Sequence, residues 1–186
     1  MERRMTAFPW ASRLAKTPGL VLPIRSFIGI TERREEIDKS EIRRSLNGSA
    51  VVLRPLYGTL YRTTLSASGP ALHWTPAFSG LDKRAVYRIA STLHLDFSIP
   101  AGGTQAVLTR DPVPGSVFAF LADDFDERRL PLAVDGRTVT LAAPAARPVF
   151  GGFLPFLDCV LADRSAGAAE IEGTKEWSMV FEEQHA

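Results

Sequence analysis

Asn47-Gly48 and Asp135-Gly136 are the features that most constrain the fold. Each dipeptide stands between two short runs, 41–46 with 49–53 and 130–134 with 137–141. Asn-Gly and Asp-Gly accept the positive φ angles of a type I′ turn, whose twist matches flanking antiparallel strands. After the second turn, Arg137-Thr138-Val139-Thr140-Leu141 alternates as a half-buried strand does. Residues 60–66, rich in Tyr and Thr, predict another strand, as do 104–109, 117–121, 157–162 and 176–183. In the last, Trp177, Met179 and Phe181 share one parity, which makes them the inward face. Residues 85–98 predict one long strand, with Tyr87, Ile89, Ser91, Leu93, Leu95 and Phe97 facing inward. Gly151-Gly152 and residues 69–76 predict loops.

Many short strands punctuated by Gly and Pro predict an all-β fold, an antiparallel β-sandwich or β-barrel. Residues 1–40 form an N-terminal arm or extension and 41–186 the sandwich or barrel domain. The segment 31–44 is ambiguous. Its Glu, Arg, Lys and Ile suit a short helix, but Ile37, Ile42 and Leu46 make a poor helical stripe, so a charged β-arm fits equally well.

Composition excludes several function classes. The formal net charge of +1 over 186 residues lacks the basic face that phosphate neutralisation requires, so no nucleic-acid specificity is expected. The offset between +4 over 1–48 and −3 over 49–186 suits head-to-tail packing of identical subunits. A single cysteine excludes an internal disulfide and any multi-cysteine zinc site. The most apolar windows, 20–30 and 150–162, are shorter than the about 20 residues of a transmembrane helix, so no membrane span is expected.

No catalytic constellation emerges. Cys159 sits in the apolar run Phe156-Leu157-Asp158-Cys159-Val160-Leu161, the setting of an inert buried thiol. His73, beside Trp74, is a loop residue, and His94 lies on the polar parity of a strand. Neither has an orienting partner in sequence. The acidic cluster from Asp123 to Glu127 lacks the alternating ligands and turn glycine of a calcium loop, and Arg128-Arg129 neutralise part of it. Ala101-Gly102-Gly103-Thr104 lacks the Lys-Ser/Thr ending of a phosphate loop. No catalytic residue, metal ligand or cofactor is therefore assigned.

The order of several motifs carries a resemblance. Arg43-Arg44-Ser45-Leu46-Asn47-Gly48 opens the domain, and a strand-like run from Tyr57 to Ser66 follows. Pro76-Ala77-Phe78-Ser79-Gly80-Leu81 comes next, and Trp177-Ser178-Met179-Val180-Phe181-Glu182-Glu183 closes the chain after the run 155–162. This succession resembles small tail tip or baseplate proteins, minor or distal-tail-like, of long-tailed bacteriophages and prophages. The resemblance covers about half the chain, at both ends of residues 41–183; residues 1–40 lie outside it, and the strand at 85–97 and the stretch 110–145 match poorly. It implies a structural virion protein of the tail, not an enzyme. The protein would be assembled in the host cytoplasm and would join the tail tube to tip or hub proteins. Its expected partners are copies of itself, in a ring of six or three, with tube, hub and tape-measure proteins. The candidate interaction surface is Trp74 and Phe78 in the loop with Arg33 and Arg34 in the arm. The alternative is a receptor- or carbohydrate-binding β-module stacking ligand on Trp74, Tyr57 and Tyr61; a tail-associated hydrolase ranks last.

Overall fold

The computed structural model describes residues 30–37, 41–44, 47, 50–53, 59–69, 81–123, 128–169 and 173–184. The fold is all-β, in agreement with the sequence, and the described residues hold no helix. The strands are β1 (Thr31–Ile37), β2 (Glu41–Arg44), β3 (Ala50–Leu53), β4 (Leu60–Gly69), β5 (Val86–Ala90), β6 (Leu95–Ile99) and β7 (Gln105–Val107). They continue as β8 (Phe118–Leu121), β9 (Leu132–Asp135), β10 (Thr138–Leu141), β11 (Val149–Phe153), β12 (Phe156–Ala169) and β13 (Thr174–Glu183). The described parts of the ambiguous segment 31–44 are strand, 31–37 as β1 and 41–44 as β2. β1, within the predicted arm, pairs along its whole length with β4, from Thr31 opposite Ser66 to Ile37 opposite Leu60. Two compact units result, one of Met1–Tyr87 with Asp158–Ala186, the other of Arg88–Leu157.

The first unit is organised by a five-stranded sheet in the order β1-β4-β13-β12-β5, with β2 and β3 as a separate hairpin. Period-two side chains decide which face is buried. Thr63, Leu65 and Ala67 of β4 face inward with Trp177, Met179 and Phe181 of β13, all at most 4% exposed. Tyr87 joins them, its ring set edge-on to Phe181 at 5.7 Å and its hydroxyl donating to Asp82 O at 2.9 Å. A bulge between Leu161 and Asp163 in β12 shifts the register by one residue. An inserted residue reverses parity beyond it. Arg164, opposite buried Met179, is thereby placed to donate from Nη1 to Leu81 O at 3.1 Å.

Thr63 breaks the apolar pattern of this face. It is fully buried, and its Oγ1 has no hydrogen-bond partner among the described residues. A buried hydroxyl without a partner loses its hydration with nothing in return. Thr63→Val keeps the shape and removes the polar atom, so we expect a gain of about 1 kcal/mol in urea unfolding. A loss of stability would show that the hydroxyl is satisfied.

The second unit holds two three-stranded antiparallel sheets, β6-β11-β8 and β7-β10-β9. One cluster joins Ile99, Ala119 and Val149, all fully buried, with Leu141 and Ala145; another joins Leu108, Val139 and Phe153. A tight hairpin forms here but one residue later than expected: Asp135 ends β9 opposite Thr138, and the turn residues are Gly136, at φ 56°, and Arg137. Two expectations are overturned here. The predicted long strand breaks into β5 and β6, which belong to different sheets, because the Ser91 hydroxyl accepts from Leu93 N–H at 3.1 Å and turns the chain. Tyr87, Ile89 and Ser91 keep the inward parity, whereas Leu93 is 37% exposed. Gly151-Gly152 is not a loop but the centre of β11, buried on both sides by pairing with β6 and β8.

Asp111 ties distant parts of this unit together. Its Oδ2 accepts from Arg88 Nη2 and its Oδ1 from Arg137 Nε, both at 2.6 Å. The Arg137 guanidinium, aided by Arg88, holds the carboxyl below its ordinary pKa against a partial desolvation that raises it. A depressed carboxylate stabilises the fold above its unfolded pKa and loses that contribution as the pH falls through the folded value. The groups are about half exposed, so solvent screening limits the effect to about 0.5 kcal/mol. Asp111→Asn should flatten the fall in urea midpoint below pH 3.8 relative to the parent; identical acid limbs would contradict this assignment.

Candidate interaction surface

Arg33 and Arg34 point to opposite faces of β1, because neighbours in a strand alternate. Arg33 is exposed and pairs with Glu35 two residues on, Nη2 to Oε1 at 2.8 Å. Arg34 turns to the other face, its guanidinium 4.9 Å from the centroid of the Tyr61 ring. A cation over a ring at that distance is attracted by the ring quadrupole. Tyr61 thus carries an arginine against its face, which does not suit the stacking role that the carbohydrate alternative gave it. Trp74, Phe78, Tyr57 and His73 lie outside the described residues.

Around Arg33 the sheet presents an ordered polar face. Glu35, Arg62 and Glu182 stand opposite one another across β1, β4 and β13, so charge alternates along the row. Arg62 donates to Glu182 Oε1 from Nη2 at 2.6 Å and from Nε at 3.0 Å. Four residues further along, Thr31, Ser66, Ser178 and Ser165 form a row of hydroxyls across four strands. These short side chains floor a shallow trough of about 390 Å³. Among the described residues β1 is an edge strand of its sheet. An edge presents main-chain donors and acceptors to a further strand, and interleaved charges set which strands it accepts.

Cys159 is completely buried. Burial pushes its thiol pKa up, and the charges of Glu183, Asp158 and Glu32 push it further, so the nucleophilic thiolate is disfavoured. His94 is exposed and meets Phe118 edge-on at 5.3 Å. Asp123 pairs with Arg147; the remaining acids of its cluster, 124–127, lie outside the described residues. Among the described residues no three metal-binding side chains gather, and no helix is long and apolar enough to cross a membrane.

Sequence reasoning weighed tryptophan and tyrosine and passed over three phenylalanines. Phe118 and Phe120 share a face of β8, and Phe150 lies opposite Phe120 in β11. The period-two spacing of Phe118 and Phe120 was the available signal, but nothing in the chain places Phe150 beside them before the strands are paired. Comparisons of the chain with protein families, characterised proteins and solved structures find no match.

Proposed function

We propose that this chain is a structural protein of a phage tail tip or baseplate, built to pack against copies of itself around the tail axis and against tube and hub proteins. The supporting observation is where the resembling motifs fall. Of the five motifs, 57–66, 155–162 and 177–183 overlap β4, β12 and β13, which are neighbours in one sheet; 43–48 overlaps the separate β2-β3 hairpin, and 76–80 lie outside the described residues. Of the stretches outside the resemblance or poorly matched, 85–97 and 110–145 fall almost entirely within Arg88–Leu157, a compact unit of its own, whereas residues 1–40 belong to the first unit. Motifs that assemble into one continuous piece of sheet support a shared framework better than scattered short matches do. β1 lies at the edge of that framework, and its alternating charges suit a selective contact between subunits.

Light scattering on the full-length chain tests this reading. We expect a species of three or six times the 20.4 kDa protomer, and removal of residues 1–30 should reduce its mass. A chain that stays monomeric at every concentration would overturn the assembly role. An unchanged oligomer after the truncation would remove the arm from the contact.

A further inference from the structure

The outward face of β6-β11-β8 carries an aromatic floor beside exposed polar side chains. Its two inner rows are fixed by register: Ser98, Phe150 and Phe120 in one, Asp96, Gly152 and Phe118 in the other. Neighbouring strands are about 4.8 Å apart, so each row is a short continuous line of side chains. Phe150 is 49% exposed although it is a large apolar residue. Phe118 and Phe120 lie nearly parallel, 15° between planes with centroids 6.3 Å apart. The Phe118 ring lies against Gly152, where an added Cβ would come within 2.9 Å of it. Its position therefore requires glycine there. The guanidinium of Arg129 stands 5.5 Å from the Phe118 centroid, and His94 meets the same ring edge-on.

We propose that this face is a saccharide-binding site. A pyranose ring offers one apolar face of C–H bonds and a rim of hydroxyls. It calls for an aromatic floor with donors and acceptors at its edge, and this face carries aromatic and polar side chains in adjacent rows. Phe150 and Phe120 supply the floor. On the β6 side the exposed Asp96 carboxylate and Ser98 hydroxyl accept or donate to sugar hydroxyls; at the opposite end Arg129 donates. Tyr, Trp and Phe faces gain most from such contact when one side of the ligand is apolar and the other wet. Nucleic acid fits less well, because the acidic Asp96 shares the face with Arg129 and Arg147 is paired with Asp123, leaving no basic track for phosphates. The site is independent of the assembly role proposed above, since every residue it uses lies in Arg88–Leu157.

The test is a glycan array of neutral and N-acetylated oligosaccharides probed with the full-length chain, followed by calorimetric titration of the bound members. We expect binding of at least one class. Phe150→Ala should weaken it by about tenfold or more, given the 1.4 kcal/mol that a tenfold change represents. Asp96→Ala should weaken it as well, whereas Val107→Ala, at another exposed apolar position, should leave it unchanged. Circular dichroism of Phe150→Ala, whose side chain is half exposed, checks that the fold is retained. No bound glycan, or binding that survives both Phe150→Ala and Asp96→Ala, overturns the proposal. Self-association of the parent that Phe150→Ala abolishes, with no glycan bound, overturns it too and assigns the face to protein contact.

Discussion

Gly151→Ala is expected to unfold the β6-β11-β8 sheet, at a cost of about 3 kcal/mol or more. Gly151 sits in the middle strand, opposite Phe97 on one side and Ala119 on the other. A Cβ there would strike the Phe97 ring and come within 2.5 Å of the Phe118 carbonyl oxygen. The ring belongs to the packed core around Ile99 and Val149, and the carbonyl is backbone, so neither can yield without moving a strand. The same chemical change at Gly136 is a control. There a Cβ meets nothing within 4 Å, and only the positive φ of 56° resists it, so Gly136→Ala should cost about 1 kcal/mol. Urea unfolding of the two variants measures the contrast. Equal losses would mean that β11 has room its packing does not show.

Trp177→Ala should be comparably severe, with a loss of about 3–5 kcal/mol. The indole is 2% exposed in a strand bonded on both sides, between Ala67 of β4 and Ala166 of β12. Small residues flank it because the large ring needs their space. Removing the ring leaves a void that two alanines cannot fill, and a strand paired on both sides cannot collapse into it. Hydrogen exchange should show protection lost first in β4, β12 and β13. A variant with unchanged urea midpoint would mean that the cavity is filled by rearrangement.

Much of this architecture was legible in the chain. The inward parity of Trp177, Met179 and Phe181 and a hairpin turn at Gly136, one residue later than the dipeptide suggests, both follow from local chemistry, a period of two and a residue that tolerates positive φ. The errors share a different origin. Gly151-Gly152 signals a loop by composition, but the glycines serve the rings of Phe97 and Phe118, which approach from strands far away in sequence. The break after Ser91 depends on one hydroxyl choosing a nearby amide over solvent, and alternation cannot reveal that choice. Arg33 and Arg34 are adjacent in sequence, but a strand sends neighbours to opposite faces, so they enter two different environments.

The completely buried Cys159 has a practical consequence. As the chain's only sulfhydryl, it reacts with iodoacetamide only when the sheet around it opens. Its alkylation rate is therefore a clock for the breathing of β12 and of β13, whose Glu183 stands opposite it. That clock reports from a single known position and requires no engineered label.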